Sequence, residues 1–568
     1  MSALDALDDQ QREAASTLRG PVVVLAGAGT GKTRVITHRI AHGVEVGAYT
    51  PSRVMAVTFT AKAAGEMRGR LRQLGVDGVA ARTFHSAALS QLNYFWPTVA
   101  GSSAPGLIDN KVRLLAHAVH DRGLRWDTAT LRDVASVIEW RKVSMLSIDD
   151  AVERHPGVTN VDKTQLADAL RAYEALKDER RRLDFEDVLL ACAGMLEAEP
   201  RVAAAVHEQY RHFTVDEYQD VSPLQNRLLE LWLGNRRDLC VVGDPAQTIY
   251  SFTGADQRYL LEFTHRYTDA TTVRLETNYR STEQVLAVAN SLMKTQHGAL
   301  QLSAARATPT ADVPTLTRYR TDEEESSGVA RDIATRLAAG VPASDIAVLY
   351  RSHAQSAAVI SALAQHGVSA TVLGGRKFFD IPEVRQAIVA LRGAAVAPSG
   401  REFIVDVRDV LHSLGFREDP PEASGAVREV WEARRALLQL AEEAPPTTTL
   451  REFSDELMAR AKSQHEPTLD TVTLSTLHAA KGLEWPHVYI IGCSEGLMPI
   501  SYATSMRAVD EERRLVYVGI TRSERTLKLS WAEQAGARDR RASRFLTEIG
   551  TGTLRETAPS ATRARRHR

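Results

Sequence analysis

Cysteine is almost missing from this chain: there are three in 568 residues, Cys192, Cys240 and Cys493, far apart and without a CxxC pair. Such spacing supports neither a structural zinc site nor a disulfide framework, and such sparse use suits a reducing, cytoplasmic compartment. Net charge is equally scarce, since 70 Lys and Arg face 71 Asp and Glu to leave −1. Bulk charge therefore announces no nucleic-acid partner, and any basic surface must be assembled locally by folding. Long apolar runs are also lacking. No stretch reaches the roughly 18 uninterrupted apolar residues of a membrane span, so no membrane partner is expected. The N-terminus, MSALDALDDQQREAA, is polar and acidic where a signal peptide is basic and then apolar. No internal repeat is present.

What is there is ordinary core material: 44% hydrophobic and 25% charged residues, in a length that suggests roughly four domains of about 150 residues. Short β-branched runs each lead into a turn and then a helical pattern. Val22-Val23-Val24-Leu25 precedes a Gly-rich turn, Val54-Met55-Ala56-Val57 precedes Thr58, Phe213-Thr214-Val215 runs into an acidic cluster, and Leu239-Cys240-Val241-Val242 runs into Gly243-Asp244. Later come Asp345 to Tyr350 and Val488 to Gly492. Buried parallel strands read this way, so the fold class is α/β with two parallel-sheet cores. Residues 106–183 and 385–470 read as helical insertions, the second broken at Pro420-Pro421 and at Pro445-Pro446. The tail from Thr551, ending Arg563 to Arg568, reads as a basic, disordered end.

Ala26-Gly27-Ala28-Gly29-Thr30-Gly31-Lys32-Thr33 follows a strand and opens a helix, the context of a phosphate loop. Glycines let successive backbone N–H groups converge on phosphates, and a helix N-terminus adds partial positive charge. Lys32 is expected to reach the β- and γ-phosphates and Thr33 to hold Mg²⁺, with Arg34 next along the helix. The place usually held by a first glycine is Ala26. Asp216-Glu217 at a strand end completes the set: Asp216 for Mg²⁺ through water, Glu217 to polarise the attacking water. Acidic residues are also favoured at any solvated helix N-terminus; their place downstream of a phosphate loop favours the chemical role. Gln247, after Gly243-Asp244, is a candidate γ-phosphate contact.

From here the resemblance becomes specific. The chain resembles the UvrD/Rep/PcrA group of superfamily 1A DNA helicases, in a short actinobacterial-type variant, over nearly its whole length. Gln11 resembles the glutamine that reads adenine in that family. Thr58 to Ala64 is similar to motif Ia and Thr83-Phe84-His85-Ser86 to motif Ib. Leu275 to Thr282 is similar to motif IV, which implies that Tyr279 stacks on adenine and Arg280 contacts the γ-phosphate. Thr476 to Trp485 is similar to motif V, with Glu484 near the ribose, and Glu511 to Arg522 to motif VI, with Arg522 a second γ-phosphate arginine. The implied fold has two RecA-like cores, 1A (1–83 and 184–276) and 2A (277–384 and 471–550). Insertion 1B spans 84–183, a reduced 2B spans 385–470, and the tail is 551–568. On this plan Arg280 and Arg522 belong to the second core, the nucleotide lies in the cleft, and cleft closure gates hydrolysis.

The resemblance implies ATP and Mg²⁺ as cofactors and single-stranded DNA, with its junctions to duplex, as partner. It also implies a DNA-repair protein partner, a monomer or DNA-dependent dimer, and a bacterial, nucleoid-associated location. Strand contacts are expected from Phe59, Thr83, His85, Tyr250, Phe252 and His478. Aromatics of this kind are more often core than platform; Tyr250 divides evenly between the two and Phe252 leans to stacking. Two departures stand out. The family's Trp-Arg before Gly254-Ala255 is Phe252-Thr253 here, and the Arg-x-Glu after Phe378-Phe379 is changed to Asp380-Ile381-Pro382-Glu383. The first removes a phosphate contact; the reduced 2B region bears on autonomous unwinding. A translocase that needs help to unwind, and an ATP-switched DNA-binding regulator, are the competing readings.

Overall fold

The computed structural model describes residues 2–568 apart from 159, 309–310, 374–378, 380–381, 396–400, 420–430, 432–433, 436, 439, 443, 446–447, 464–469, 536–537, 551 and 559–568. The resumed resemblance at 374–378, the changed pair at 380–381, the proline break at 420–421 and the basic end at 563–568 lie outside the described residues. The chain divides into two compact units, 1–309 with Ser505–Tyr517, and 310–504 with Val518–Arg568.

The first unit is built on a six-stranded parallel sheet. Its order is Ala80–Thr83, Val54–Thr58, His212–Val215, Leu239–Gly243, Val22–Ala26, Thr271–Leu275. Alternation along each strand sends neighbours to opposite faces. Val23, Met55, Val57, Phe213 and Val215 join Phe84 and Trp232 in one core. Val22, Val24, Ala56, Cys240 and Val242 join Ile36 and Ile40 in the other. With both faces covered, the central strands Val22–Ala26, Val54–Thr58 and Leu239–Gly243 are almost wholly apolar, as read from the sequence, whereas the edge strands Ala80–Thr83 and Thr271–Leu275 are mixed. Their C-terminal ends all meet one edge, where ligands bind in open α/β sheets. The expected helical insertion is present as Lys111–His120, Thr128–Val143, Ile148–Arg154 and Lys163–Glu179, which share a core around Leu115, Val134, Ile138, Leu170 and Tyr173.

The second unit carries another parallel sheet, in the order Ala370–Val372, Val472–Thr476, Ile346–Tyr350, Trp485–Ile490, Ser523–Ala535, Thr315–Thr321, Arg555–Thr557. Arg538–Asp539 pairs antiparallel to Ser523–Ala535. Helices Pro382–Ala394, Phe403–Ser413 and Leu450–Ser463 gather a separate cluster around Val384, Leu391, Val407, Leu411 and Phe453.

Three boundaries differ from the sequence reading. Residues 277–309, expected with the second core, pack with the first unit, because Asn278 and Tyr279 bond to the backbone of the phosphate loop. Residues 505–517, also assigned to 2A, group with the first unit through contacts described below. The tail does not begin at Thr551: Arg555–Thr557 extends the sheet edge beside Thr315–Thr317, with Leu554 buried and the Thr317 and Thr557 hydroxyls 2.7 Å apart. Among the described residues no helix is long and apolar enough to cross a membrane.

Candidate nucleotide and nucleic-acid site

Strand Val22–Ala26 ends at the sheet edge and the chain turns through 27–31 into helix Lys32–Glu45. Gly29 (φ +68°) and Gly31 (φ +84°) take left-handed backbone, which glycine adopts without steric cost. A Cβ on Gly29 would stand 2.5 Å from Asn278 Nδ2 and 2.9 Å from Arg280 Cβ. Gly31 is the N-cap of the helix and supplies no side-chain acceptor to its first turn, and N–H groups at a helix start are suited to binding phosphate. Ala28 and Thr30 are buried, and the Thr30 hydroxyl donates to the Gly27 carbonyl at 2.9 Å.

The loop is buttressed from behind. Asn278 Nδ2 donates to the Ala28 carbonyl at 2.7 Å, and its Oδ1 accepts from the N–H groups of Arg280 (2.8 Å) and Ser281 (2.7 Å). The Tyr279 N–H donates to the Gly29 carbonyl at 2.9 Å. Arg280 is thereby fixed beside the phosphate loop, in the first unit rather than the second. Asn278 is a residue the sequence reading passed over. Gln11 is buried: it closes a capping box with Asp8, and its Nε2 donates to the Thr30 carbonyl at 2.9 Å. Tyr279 is half exposed, and its hydroxyl donates to Asp8; burial and that carboxylate push the phenol up to about 12. Arg34 points away from the loop and donates to the Ala6 carbonyl at 2.6 Å.

Strand His212–Val215 delivers Asp216 and Glu217 to the same edge. Asp216 is buried and accepts from the Glu217 N–H at 3.0 Å. Glu217 has left-handed backbone (φ +53°), strain that costs on the order of 1–3 kcal/mol and aims its carboxylate. Gln219, fully buried, then acts as a clamp: Nε2 donates to Glu217 Oε2 at 2.6 Å while Oε1 accepts from the Asp244 N–H at 3.0 Å. A Cβ on Gly243 would sit 2.6 Å from that Oε1, so glycine there permits the approach. Asp244 is fully buried; burial pushes its carboxyl up against the pull of Lys32, and it accepts from Gln247 Nε2 at 2.7 Å. Gln219 is thus a second missed residue. Among the described residues no group of three or more His, Cys, Asp or Glu could hold a metal unaided.

The expected strand contacts of the first unit lie on neighbouring loops. Phe59 meets Phe84 edge-on, with centroids 6.2 Å apart. Thr83 caps helix Phe84–Ala100 in a capping box with Ser86. His85 stacks on Phe185 at 3.7 Å and 12°, and burial presses its imidazole down to about 4, so it is neutral. Phe185 is the third residue the sequence reading missed: a large apolar side chain left 57% exposed in Leu183-Asp184-Phe185-Glu186-Asp187. Its signal was an aromatic at a helix start among acids, where no core position is expected. Phe252 is 63% exposed, and Tyr250, partly buried, meets it edge-on at 6.1 Å. Their loop is held by helix Met506–Ile520: Glu511 accepts from the Ser251 N–H (2.9 Å) and hydroxyl, and Arg514 Nε donates to the Thr248 carbonyl at 2.7 Å.

In the second unit, His478 follows strand Val472–Thr476, and burial with nearby Arg351 presses it down to about 4. Glu484 precedes strand Trp485–Ile490. Arg522 is nearly fully buried, donating to the carbonyls of Val518 (2.9 Å) and Leu483 (3.1 Å) and to the Thr521 hydroxyl at 3.1 Å.

Known proteins resemble this chain over nearly its whole length. The UvrD/REP helicase N-terminal domain matches residues 7–268, and the UvrD-like helicase C-terminal domain matches 273–396 and 418–534. The chain is 44% identical over 590 aligned positions to the ATP-dependent DNA helicase UvrD2 of Mycobacterium tuberculosis, covering 99% of this chain and 84% of that protein. It is 30% identical over 654 positions to DNA helicase II of Escherichia coli K12, covering 99% and 90%. To the ATP-dependent DNA helicase PcrA of Leuconostoc citreum it is 29% identical over 647 positions, covering 98% and 86%. The chain belongs to the UvrD/REP helicase family.

Proposed function

We propose that this ATP-dependent DNA helicase of the UvrD/PcrA type moves 3′→5′ along single-stranded DNA and acts at its junctions with duplex. One observation carries the reading: a phosphate loop with an uncapped helix start shares one sheet edge with a strained, clamped Glu217 and with the loop that exposes Phe252. Bound Mg²⁺, which Thr33 and Asp216 would hold, would offset the negative charge of the phosphates. Around it, Lys32 and the N–H groups of 27–33 bind phosphate, and Glu217 accepts the proton of the attacking water. Gln247, Arg280 and Arg522 contact the γ-phosphate, Tyr279 stacks on the base, and Glu484 lies near the ribose. For Gln11 to read adenine, its amide exchanges the bond to Thr30 for one to the base. For Arg522 to serve, its guanidinium leaves the Leu483 carbonyl, which makes it a group that responds to nucleotide.

Phe59, Thr83, His85, Tyr250, Phe252 and His478, with Phe185 added, form the strand contacts, and residues 84–183 and 385–470 serve as insertions 1B and 2B. Stacking on such aromatics is worth about 1–3 kcal/mol per base whatever the sequence. One observation favours a second reading, a translocase that unwinds only with a repair-protein partner or as a dimer on DNA. Alignments of 647 and 654 positions against 568 residues mean that PcrA and DNA helicase II carry segments this chain lacks. A bacterial cytoplasmic location beside the nucleoid goes with either. The test is ATP-driven displacement of streptavidin from oligonucleotides biotinylated at one end. Release from the 5′ end alone supports 3′→5′ movement; release from the 3′ end alone reverses the assignment.

A further inference from the structure

Asp8 divides its polar groups between the two residues expected at the base. One carboxylate oxygen, Oδ1, caps helix Asp9–Ser16 by accepting from the Gln11 N–H at 2.7 Å. The other, Oδ2, accepts from the Tyr279 hydroxyl, although Tyr279 lies 271 positions along the chain. The Asp8 N–H donates to Gln11 Oε1 at 3.4 Å, which leaves Gln11 Nε2 directed to the Thr30 carbonyl at 2.9 Å. The segment around Asp8 is itself held in place. Leu7 is buried, and Gln10 Oε1 accepts from the Glu276 N–H at 3.0 Å, close to Tyr279 in the chain.

Hydrogen-bond satisfaction does not explain the contact with Tyr279. The ring is 51% exposed, so water would serve its hydroxyl as well, and one such bond adds little net stability. What the contact adds is orientation. The χ2 torsion of a tyrosine is broad, so a ring held only by its backbone samples a range of planes. Here it is pinned at both ends, by the Tyr279 N–H on the Gly29 carbonyl at 2.9 Å and by the hydroxyl on Asp8. A glutamine amide matches adenine, which offers a donor at N6 beside an acceptor at N7, and mismatches guanine, which offers two acceptors there. That discrimination depends on which end of the amide faces the base and on the plane in which the base lies. Asp8 governs both.

We propose that Asp8 is a positioning residue for base selection: it sets the Gln11 amide and the Tyr279 ring against each other so that adenine is preferred to guanine. The inference rests on the reading of Gln11 and Tyr279 as base contacts, and adds to it the residue that aligns them.

The experiment is steady-state hydrolysis of ATP and of GTP at saturating single-stranded DNA. It compares wild type, Asp8→Ser, Tyr279→Phe, their double variant and Gln11→Ala. Serine is as good an N-cap as aspartate, so Asp8→Ser keeps helix Asp9–Ser16 capped and removes the oxygen that meets Tyr279. Asp8→Ser is expected to raise KM for ATP about 2- to 10-fold, the worth of one hydrogen bond, with kcat within about twofold. KM for GTP should move less, so the preference for ATP in kcat/KM falls. Tyr279→Phe should lower that preference too, and the double variant should do no more than either single change. A residue that only capped the helix would shift the melting temperature and leave the preference as it was. Wild-type KM and preference in folded Asp8→Ser overturn the proposal, and so do effects of the two single changes that multiply. Should Asp8→Ser fail to fold, Tyr279→Phe removes the same bond from the other side, and an unchanged preference there overturns the proposal as well. Gln11→Ala separates the two failures. A preference lost in Gln11→Ala but kept in Asp8→Ser strikes the proposal alone, whereas a preference kept in Gln11→Ala strikes the base reading and the proposal with it.

Discussion

Gln219 offers the sharpest test of how Glu217, the proposed hydrolytic base, is held. Its amide makes two buried bonds of different kinds: it donates to Glu217 at 2.6 Å and accepts from the Asp244 N–H at 3.0 Å. Gln219→Leu removes both. The bond to a carboxylate is worth about 1.5–3 kcal/mol, and the orphaned Asp244 N–H costs about 1–3 kcal/mol. Gln219→Glu keeps the acceptor for Asp244 and sets a second carboxylate against Glu217, with Asp220 Oδ2 already 3.3 Å from the same nitrogen. Two like charges about 3 Å apart repel by roughly 5 kcal/mol at an effective dielectric of 20, so the pair shares a proton at neutral pH. A base held protonated forfeits about 10²–10⁴ in rate. In steady-state ATP hydrolysis at saturating single-stranded DNA, Gln219→Glu should lose kcat by about that factor and recover part of it as pH rises. KM for ATP should stay within about threefold, because no phosphate contact is touched. Gln219→Leu should lose less kcat and more thermal stability. A Gln219→Glu enzyme with wild-type kcat, or one whose whole loss lies in KM, would refute the clamp.

Gly29→Ala should cost most of the ATP affinity, because a Cβ there meets Asn278 Nδ2 at 2.5 Å and drives off the side chain that buttresses the loop; nucleotide binding by fluorescence titration at wild-type strength would contradict this. Glu325, fully buried in the second unit, accepts from the Gly492 N–H at 2.9 Å and the Ser530 hydroxyl at 2.5 Å, and burial pushes its carboxyl up to about 7. The folded state thus keeps this proton longer than the unfolded chain, whose glutamates titrate near 4.3. Its contribution to stability is complete below about pH 4 and is lost as pH rises through 7. Glu325→Gln should therefore stabilise the protein at pH 8 by on the order of 3 kcal/mol and leave it nearly unchanged at pH 4.5; equal shifts in melting temperature at both would sink the assignment. The Thr253 hydroxyl donates to the Tyr250 carbonyl at 2.8 Å, on the loop that exposes Phe252. Thr253→Arg should steepen the salt dependence of single-stranded DNA binding by about 0.7, and an unchanged slope would show that no phosphate passes this loop.

The first core was legible because its strands are buried on both faces. Runs such as Val22–Ala26 and Leu239–Gly243 stay apolar throughout, and the glycines after them sit where backbone must turn or approach closely. Among the strands that escaped notice, several are short or mixed: Ala80–Thr83, the alternating Thr315–Thr321, and Arg555–Thr557, which lies beside an open sheet edge. The same limit explains the boundary at Arg280. Motif order suggests the second core, but the bonds of Asn278 and Tyr279 to the phosphate loop are tertiary, and no spacing rule reports them. Candidate residues with charge or a glycine pattern could be named from sequence alone. Those that work through geometry, Gln219 by bridging two loops and Phe185 by remaining exposed, became visible only once their surroundings were in place.

The most direct measurement is ATP-dependent strand displacement on a 3′-tailed duplex, with a 5′-tailed duplex and Lys32→Ala as controls. The account predicts displacement from the 3′ tail alone, lost in the Lys32 variant. ATP turnover that ignores single-stranded DNA, with no displacement from either tail, would contradict it.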